Sequence, residues 1–481
     1  MRSGIGFVHT GYRSSGGRPA KAVLTILAAG MVGSGAPAPP GVQAQLDALS
    51  ANGGTLRLPE GARTVVTSGV VVPAGVTLDL NGGELLAILD GPIEAGVRLS
   101  TGSALINGAV TVVSRGAPGI QAGAHAPVLI GALLGENPDH RRVSLFEAPS
   151  HWRVSGVTLR SDKRVQVDGI GLGAPAIQVM GGAHHGVIED IVVPDSARMA
   201  GGVFLDWGTV GAIDSNDVSG NASRFAAGLA YTTHPHHIRI RRVSVGRLSR
   251  PALGEAGSMA VRLSGVHDVM VEDVQADLVT EAGFRFTAGD LGFEFALDSS
   301  RQRAHQGITV SGLRAGSAGA YLVRTDSYAD NVGRAVAKGY NAALPPIART
   351  DLAIANVSGT WDGTGMPGWG LRVDHQRGGT FTRFDVRGFR IGLVIDEQVE
   401  DVVLHDVHAR DSVDAAFQVG HPARPPRRIR AVAVTATGNG AGARVARLER
   451  SEDVAIEESS SLQLRRAPQA VRVRIDGGGR N

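Results

Sequence analysis

A short pattern of alternating apolar and polar residues recurs along the chain between residues 150 and 460. Most copies follow a polar residue and close on a polar or glycine residue before Val, Ile or Leu. The clearest copies are His237–Val243, Asp268–Val274, Gly307–Leu313, Asp351–Val357 and Asp401–Val407, and others start at His151, His185, Thr380, Arg428 and Asp453. Repetition at roughly 20- to 50-residue intervals is typical of stacked-repeat proteins, and a period of two indicates that the stacked element is a strand.

A second apolar segment precedes most copies, so each unit is predicted to hold two strands and a short third. These segments are Ala260–Leu263, Phe293–Leu297, Tyr321–Val323, Gly370–Val373 and Leu393–Ile395. A right-handed parallel β-helix fits this pattern, because each coil stacks its strands on the coil below and buries one alternate face in a shared core. An antiparallel β-sandwich is the alternative, but Asn-Gly hairpin signals are absent from residues 150 to 430.

The composition supports one long solenoid of small β-forming residues. The 481 residues include 67 glycines, 4% aromatic residues and no cysteine, so disulfides and thiolate metal sites are excluded. Lys and Arg number 48 against 45 Asp and Glu, a net charge of +3. The basic residues are interspersed with acidic ones, which argues against nucleic acid as a partner.

The N-terminal segment has the order of an export signal. Basic residues from Arg2 to Lys21 precede a mostly apolar run over 22–32, and small residues with prolines follow from Gly33 to Pro40. The run is too short to span a bilayer, and no other segment is predicted to be transmembrane. We therefore expect a secreted or periplasmic protein with an export segment and linker over 1–41.

Residues 42 to 83 resemble a known family. A helix is predicted from about Val42 to Ala51 and is ended by Asn52-Gly53-Gly54. Two strands follow, Thr55–Leu58 before Pro59-Glu60-Gly61 and Gly75–Leu80 before Asn81-Gly82-Gly83. This order resembles the N-terminal cap and first coils of the pectate-lyase-like superfamily of β-helix proteins.

The resemblance implies a domain plan and leaves the activity open. It implies a capping helix over 42–54 that covers the open end of the core, a parallel β-helix over 55–460, and a tail or end cap over 461–481. The superfamily includes polysaccharide lyases, glycoside hydrolases, sugar epimerases, phage tailspikes and inactive adhesins, so fold alone does not select a function. The motifs of polygalacturonases and typical pectate lyases are missing, which disfavours ordinary pectinolysis.

Alignment of the first strand of each unit predicts a polar column just after it. The column contains Asp206, Thr232, Ser264, Asp298, Arg324, Asp374 and Asp396. Because coils rise by about 4.8 Å, Asp298, Arg324 and Asp374 are expected side by side on the edge of a solvent-facing groove. Such carboxylates could act as acid and base on a glycosidic bond or hold Ca²⁺, whereas turn capping is the alternative. An Arg between them would keep both ionised.

Aromatic and basic residues in the central inserts are candidate substrate ligands. Trp207, Tyr328 and Tyr340 lie in predicted turns, where they could stack on sugar rings. Arg334 and Lys338 lie in the same insert as Tyr340 and could neutralise a substrate carboxylate during a lyase reaction. Solvated charges in an exposed loop are the alternative explanation for this pair.

The segment His234-Pro235-His236-His237 precedes a repeat strand and is partly similar to the Asp-Pro-His-Asp segment of alginate C5-epimerases. Only Pro235-His236 matches that segment. A neutral histidine can accept a proton, so His234 or His236 could serve as an acid or base, and a histidine cluster without a catalytic task is the alternative.

The sequence thus predicts an exported β-helix enzyme, a lyase or glycoside hydrolase, that acts on an acidic polysaccharide. A non-catalytic carbohydrate-binding or surface-attachment protein and a uronate C5-epimerase are the alternatives. The predicted catalytic residues are Asp206, Asp298, Arg324, Asp374, His234 and His236.

Overall fold

The structure of the chain is a computed structural model in which one helix precedes a long series of strands. It describes residues 41–92, 94–116, 123–131, 148–163, 173–210, 231–248, 258–280, 282–288, 307–327, 350–361, 363, 368–421, 424–438, 444–448, 451–457, 464–466 and 474–476. Among these residues the single α-helix is α1, Val42–Leu49. The described part of the chain contains no helix long and apolar enough to cross a membrane.

Two large sheets contain almost all of the strands. Within the described residues, sheet 1 has sixteen strands: β1 Gly54–Arg57, β2 Arg63–Val66, β4 Val76–Asp79, β5 Glu84–Leu89, β7 Ala104–Ser114, β9 Arg153–Ser161, β11 His184–Val193, β15 His236–Leu248, β17 His267–Val279, β19 Ile308–Ala318, β21 Leu352–Trp361, β23 Thr380–Arg387, β25 Glu400–Arg410, β27 Arg427–Thr437, β29 Glu452–Glu457 and β31 Arg474–Asp476. In the same residues, sheet 2 has thirteen strands: β3 Val70–Val72, β6 Val97–Leu99, β8 Val128–Ile130, β10 Pro175–Met180, β12 Gly201–Asp206, β16 Met259–Ser264, β18 Ala282–Ala288, β20 Tyr321–Ser327, β22 Trp369–Val373, β24 Ile391–Ile395, β26 Ala415–Val419, β28 Arg444–Leu448 and β30 Leu464–Arg466.

Every strand of the two sheets pairs in parallel with the strand of the next coil. Ile240 lies opposite Val271 in the parallel pair of β15 and β17, as the repeat alignment predicts. The prediction of a right-handed parallel β-helix is therefore confirmed. A short antiparallel pair, β13 Gly208–Val210 and β14 Tyr231–Thr233, lies outside both sheets. Strands β30 and β31 also pair with the coils before them, within the stretch predicted as a tail or end cap.

Successive strands of sheet 1 bend at the same register position, where one residue has a left-handed backbone conformation. In β15 the inward residues Ile240 and Val243 are three positions apart, and Arg242 between them has a φ of 52°. The same position in other strands of sheet 1 has positive φ at Asn107, Gly156, Asp190, Asp273, Gly312, Asn356, Arg383, Asp406 and Ala433. Asn, Asp and Gly adopt this conformation most easily. Because of the bend, the two halves of each sheet 1 strand form two sides of the coil. The sheet 2 strand forms the third side.

The core is a stack of aliphatic and phenylalanine side chains from consecutive coils. One inward column of sheet 1 contains Val154, Ile188, Ile240, Val271, Val310, Ile354, Phe381 and Leu404, all fully buried or nearly so. Alternation within each strand leaves the other face to polar residues, as the buried and exposed positions of β17 show. The repeat pattern of the sequence thus arises because each coil buries one face of its strands in this shared core.

Helix α1 packs Val42 and Leu46 into the main hydrophobic core, where both are buried. Replacement of Leu46 with alanine should destabilise the protein by about 2–5 kcal/mol, because it removes a fully buried side chain and leaves a cavity under the cap. Denaturant unfolding of Leu46→Ala measures this loss. Asp47→Ala, on the exposed side of the same helix, is the matched control and should change stability by less than about 0.5 kcal/mol. Equal stability of both variants would contradict a capping role.

Candidate functional site

The outer face of sheet 2 carries a row of arginines at one register position. Arg262 lies opposite Arg285, Arg285 opposite Arg324, and Arg324 opposite Arg372, so the row crosses four consecutive coils. Flanking residues such as Val323 and Leu371 point into the core, and alternation therefore directs Arg324 and Arg372 away from it. Guanidinium groups at this spacing suit the recognition of a repeating anion.

A second column on this face lies two residues further along each strand, and it corrects the predicted polar column. Asp206 lies opposite Ser264, Thr287 opposite Asp326, and Asp374 and Asp396 follow β22 and β24 at the same position. Arg324 is not in this column, because it lies opposite Arg372 rather than Asp374. Strand β20 extends to Ser327, four residues beyond the apolar segment on which the alignment relied.

One further member of the predicted column does not belong to it, and another lies outside the described residues. Thr232 lies in the short antiparallel strand β14, so it joins neither sheet. The described sheet 2 strand between β17 and β19 is β18, Ala282–Ala288, and the predicted segment Phe293–Leu297 and Asp298 lie outside the described residues. The same is true of the predicted ligands Tyr328, Arg334, Lys338 and Tyr340.

Arg372 is the centre of the best-defined charged group on this face. Its Nε lies 2.7 Å from Asp374 Oδ2, and its Nη2 lies 3.1 Å from Asp396 Oδ2. The guanidinium also lies over the Trp369 ring, 5.0 Å from its centroid. Because the cation that neutralises these two carboxylates belongs to the protein, the pair does not offer the oxygen cluster that Ca²⁺ requires.

Two aromatic rings stack beside the arginines. Tyr321 and Trp369 lie on neighbouring coils with ring centroids 5.2 Å apart and an angle of 12° between their planes. Arg324 lies over Tyr321 at 5.0 Å, which repeats the arrangement of Arg372 and Trp369 one coil further on. Both aromatic residues are half-buried. The sequence pattern missed this group, although Tyr321 begins one of the predicted apolar segments.

Asp374 is buried rather than solvent-facing, which corrects the expectation from the sequence. Its exposed fraction is 3%, and its Oδ1 is buried without a hydrogen-bond partner among the residues that the structure describes. Burial raises the pKa of Asp374, and the nearby positive charges of Arg372 and Arg324 only partly oppose this. The expected lowering of its pKa by a flanking arginine is therefore wrong. A carboxyl group of this kind suits a general acid.

The raised pKa of Asp374 leads to a stability prediction. A raised folded-state pKa means that protonation contributes stability that is fully present below the ordinary value of 3.8 and is lost as pH rises through the raised value. Asp374→Asn, which is neutral at every pH, should therefore melt at a higher temperature than the wild type at neutral pH. Melting curves down to about pH 4 should show this difference shrinking. A difference that does not change with pH would contradict the assignment.

Asp206 belongs to a separate charged group. It accepts from Gln178 Nε2 at 2.9 Å and pairs with Arg262 Nη2 at 2.9 Å, while Arg262 lies 5.6 Å from the centroid of the Phe204 ring. Four coil steps separate Asp206 from Asp374, about 19 Å at about 4.8 Å per coil. The two carboxylates therefore cannot act on the same bond. Trp207, a predicted sugar ligand, is only 3% exposed and offers little surface for stacking.

The predicted histidines lie at the turn between sheet 2 and sheet 1, in the coil of Asp206. His234 Nδ1 lies 3.0 Å from the carbonyl oxygen of Gly265. His236 begins β15 and is flanked by the stacked rings of His184 and His267. Burial, together with the neighbouring histidines, lowers the pKa of His236 to about 4. It is therefore neutral at physiological pH and suits a proton acceptor or a metal ligand better than an acid.

Comparison with solved structures identifies proteins of similar fold. The A-module of the mannuronan C-5 epimerase AlgE6 from Azotobacter vinelandii aligns with a TM-score of 0.50 and 12% identity, covering 90% of this chain and 94% of that one. The catalytic domain of a GH87 alpha-1,3-glucanase in complex with nigerose aligns with a TM-score of 0.50 and 9% identity, covering 90% and 68%. The AlgE4 A-module of the same organism gives 0.48 and 14%, covering 89% and 94%. Neither a protein-family model nor a curated protein matches the chain.

Proposed function

We propose, from the right-handed parallel β-helix fold that this chain shares with the pectate-lyase-like superfamily, that it binds an acidic polysaccharide on the outer face of sheet 2 and cleaves it. The observation that carries the proposal is Asp374, a buried carboxyl group with a raised pKa and an unpartnered oxygen beside arginines and stacked aromatic rings. The solved structures named above include a uronate epimerase and a glucanase, which fits a carbohydrate ligand.

The charges on this face favour an anionic polymer. The row from Arg262 to Arg372 occupies one register position on four consecutive coils, so a chain lying along the solenoid axis would meet the guanidinium groups of Arg262, Arg324 and Arg372. Arginine pairs with carboxylates through two parallel hydrogen bonds, and aromatic rings contact the apolar faces of sugars. Arg324 and Tyr321 on β20 provide both kinds of contact within one coil.

The site can support either cleavage reaction. Asp374 with its raised pKa would protonate the leaving oxygen, and Asp396 on the next coil would act as base or nucleophile in a hydrolase. The coil spacing of about 4.8 Å is nearer to the carboxylate separation of retaining glycosidases, about 5–5.5 Å, than to that of inverting enzymes. In a lyase, Arg324 would neutralise the uronate carboxylate and Asp396 would take the proton next to it. The glycosidic C–O bond would break as the double bond forms, and Asp374 would protonate the leaving oxygen.

A non-catalytic binding protein is the second candidate, because Asp374 and Asp396 both pair with Arg372 as structural carboxylates do. A uronate C5-epimerase is the third. Incubation of the purified protein with uronic-acid polysaccharides separates the three. Absorbance of an unsaturated product indicates a lyase, and new reducing ends without it indicate a hydrolase. A changed C5 ratio by NMR without cleavage indicates an epimerase. Binding without any of these changes would contradict an enzymatic role.

Export is part of the proposal and rests on the order of basic, apolar and small residues before Pro40. Mass spectrometry of secreted or periplasmic protein should find a mature chain that begins between about residues 33 and 42. Expression with residues 1–41 deleted is the control, since that protein should stay in the cytosol. A cytosolic full-length protein that retains Met1 would contradict export.

A further inference from the structure

Two rows of histidines lie at the turn that leads into sheet 1. The first histidine row is His151, His185 and His237, and the second histidine row is His184, His236 and His267. Ring centroids in the first row are 5.0 and 4.7 Å apart, and those in the second row are 4.8 and 4.6 Å apart. These values match the coil spacing of about 4.8 Å, so each ring stacks on the ring of the coil below.

Backbone geometry accounts for the first row but not for the second. His151, His185 and His237 have φ values of 58°, 51° and 54°, a conformation in which histidine, asparagine and aspartate are enriched. The second row has no such φ values. Later coils place Glu400 and Arg427 in the equivalent turn at the start of their sheet 1 strands. Three consecutive histidines in the second row therefore need a reason other than backbone conformation.

Histidines from both rows bring their ring nitrogens close together at one place. Ring nitrogens of His236, His237 and His267 all lie within 4.8 Å of one another. His236 Nδ1 and His237 Nδ1 are 2.7 Å apart and share a hydrogen bond, which a bound metal ion would replace with a bond to each nitrogen. Asp268 Oδ2 lies 2.8 Å from His267 Nδ1 and would hold the proton there, which leaves the Nε2 lone pair of His267 for a ligand.

We propose that His236, His237 and His267 bind one divalent transition-metal ion, with Zn²⁺ as the favoured occupant. Imidazole nitrogen suits Zn²⁺, whereas the hard cation Ca²⁺ requires oxygen ligands. Zn–N bonds of about 2.0–2.1 Å place tetrahedral ligands about 3.3 Å apart, so the His236–His237 pair has to open by about 0.6 Å and the widest nitrogen separation has to close by about 1.5 Å. Three histidines leave the fourth position for water or a substrate oxygen. The site lies about four coils from Asp374 and does not depend on the proposed cleavage reaction.

Isothermal titration of the full chain with Zn²⁺ alone and with Ca²⁺ alone tests the site. Zn²⁺ should bind at one site per chain, and Ca²⁺ should not bind there. Asp268→Asn should weaken Zn²⁺ binding by about 10- to 100-fold, the usual effect of losing a carboxylate that orients a ligating histidine. His267→Ala should weaken it further. His405→Ala removes an exposed histidine of β25, far along the solenoid, and is the matched control that should bind Zn²⁺ like the wild type.

Folding of each variant is checked by circular dichroism. His237→Asn is the second variant, since asparagine keeps the left-handed backbone of that residue while removing its ring. Zn²⁺ affinity that is unchanged in both His267→Ala and His237→Asn would overturn the proposal. Absence of Zn²⁺ binding by the wild type, or an equal loss in His405→Ala, would overturn it as well.

Discussion

Asp374→Asn should reduce turnover of a uronic-acid polysaccharide by about 10²- to 10⁴-fold, the usual contribution of a positioned general acid. Asparagine has nearly the same shape and keeps an oxygen beside Arg372, but it has no acidic proton to give to the leaving oxygen. The loss should fall on kcat, with KM nearly unchanged. Initial rates over a range of substrate concentrations, measured under the conditions in which the wild type is most active, provide the comparison.

Asp414→Asn is the matched control for this prediction. Asp414 is an exposed aspartate that pairs with Arg390 Nε at 2.5 Å and lies in the bend before β26. Its replacement should leave turnover unchanged. Because Asp374→Asn is expected to keep or raise the melting temperature, inactivity cannot be attributed to unfolding. If Asp374→Asn turned over the substrate as fast as the wild type, Asp374 would not be the general acid.

Arg324→Ala should weaken binding of an anionic polysaccharide by about 10- to 100-fold. The estimate follows from the loss of one charge-assisted hydrogen bond to a carboxylate, about 1.5–3 kcal/mol, at about 1.4 kcal/mol per tenfold. Arg372 is kept intact in this test, because its loss would leave Asp374 and Asp396 without their salt-bridge partner. The weakening should fade as salt screens the interaction. Titration with an inactive Asp374→Asn background prevents cleavage during the measurement.

Two further variants show whether the effect of Arg324→Ala comes from its guanidinium group or from net charge. Arg324→Lys keeps the positive charge but loses the planar guanidinium over Tyr321, so it should recover only part of the affinity. Arg390→Ala removes an exposed arginine that precedes β24 and pairs with Asp414, and it should bind like the wild type. An equal loss in Arg324→Ala and Arg390→Ala would indicate attraction by net charge alone.

The fold could be predicted because each coil repeats one physical requirement. Alternation in segments such as Asp268–Val274 encodes a strand with one buried face, and repetition of that segment encodes stacking. The polar or glycine residue near the end of each copy proved to be the left-handed residue that bends sheet 1, as at Asp273. Its identity was visible in the sequence, but its role required the backbone dihedral.

The site was harder to predict, because outward positions carry no apolar signal that marks where a strand ends. The apolar segment at Tyr321 stops at Val323, yet the strand continues through Arg324 and Asp326, and this shifted the alignment by two residues. Burial of Asp374 depends on residues of other coils, which local pattern does not report. The histidine rows were visible as repeat starts at His151 and His185, but only the coil register shows that their rings stack.

Because every coil has the same rise, the distance between the charged groups depends on the number of coils between them rather than on side-chain geometry. Between Asp206 and Asp374 the solenoid inserts whole coils, and each adds the same increment of about 4.8 Å. Deletion of one complete unit would shorten that interval by a single increment and leave the pairing of the remaining strands in register. The number of coils between the two charged groups therefore sets the length of ligand that can reach both.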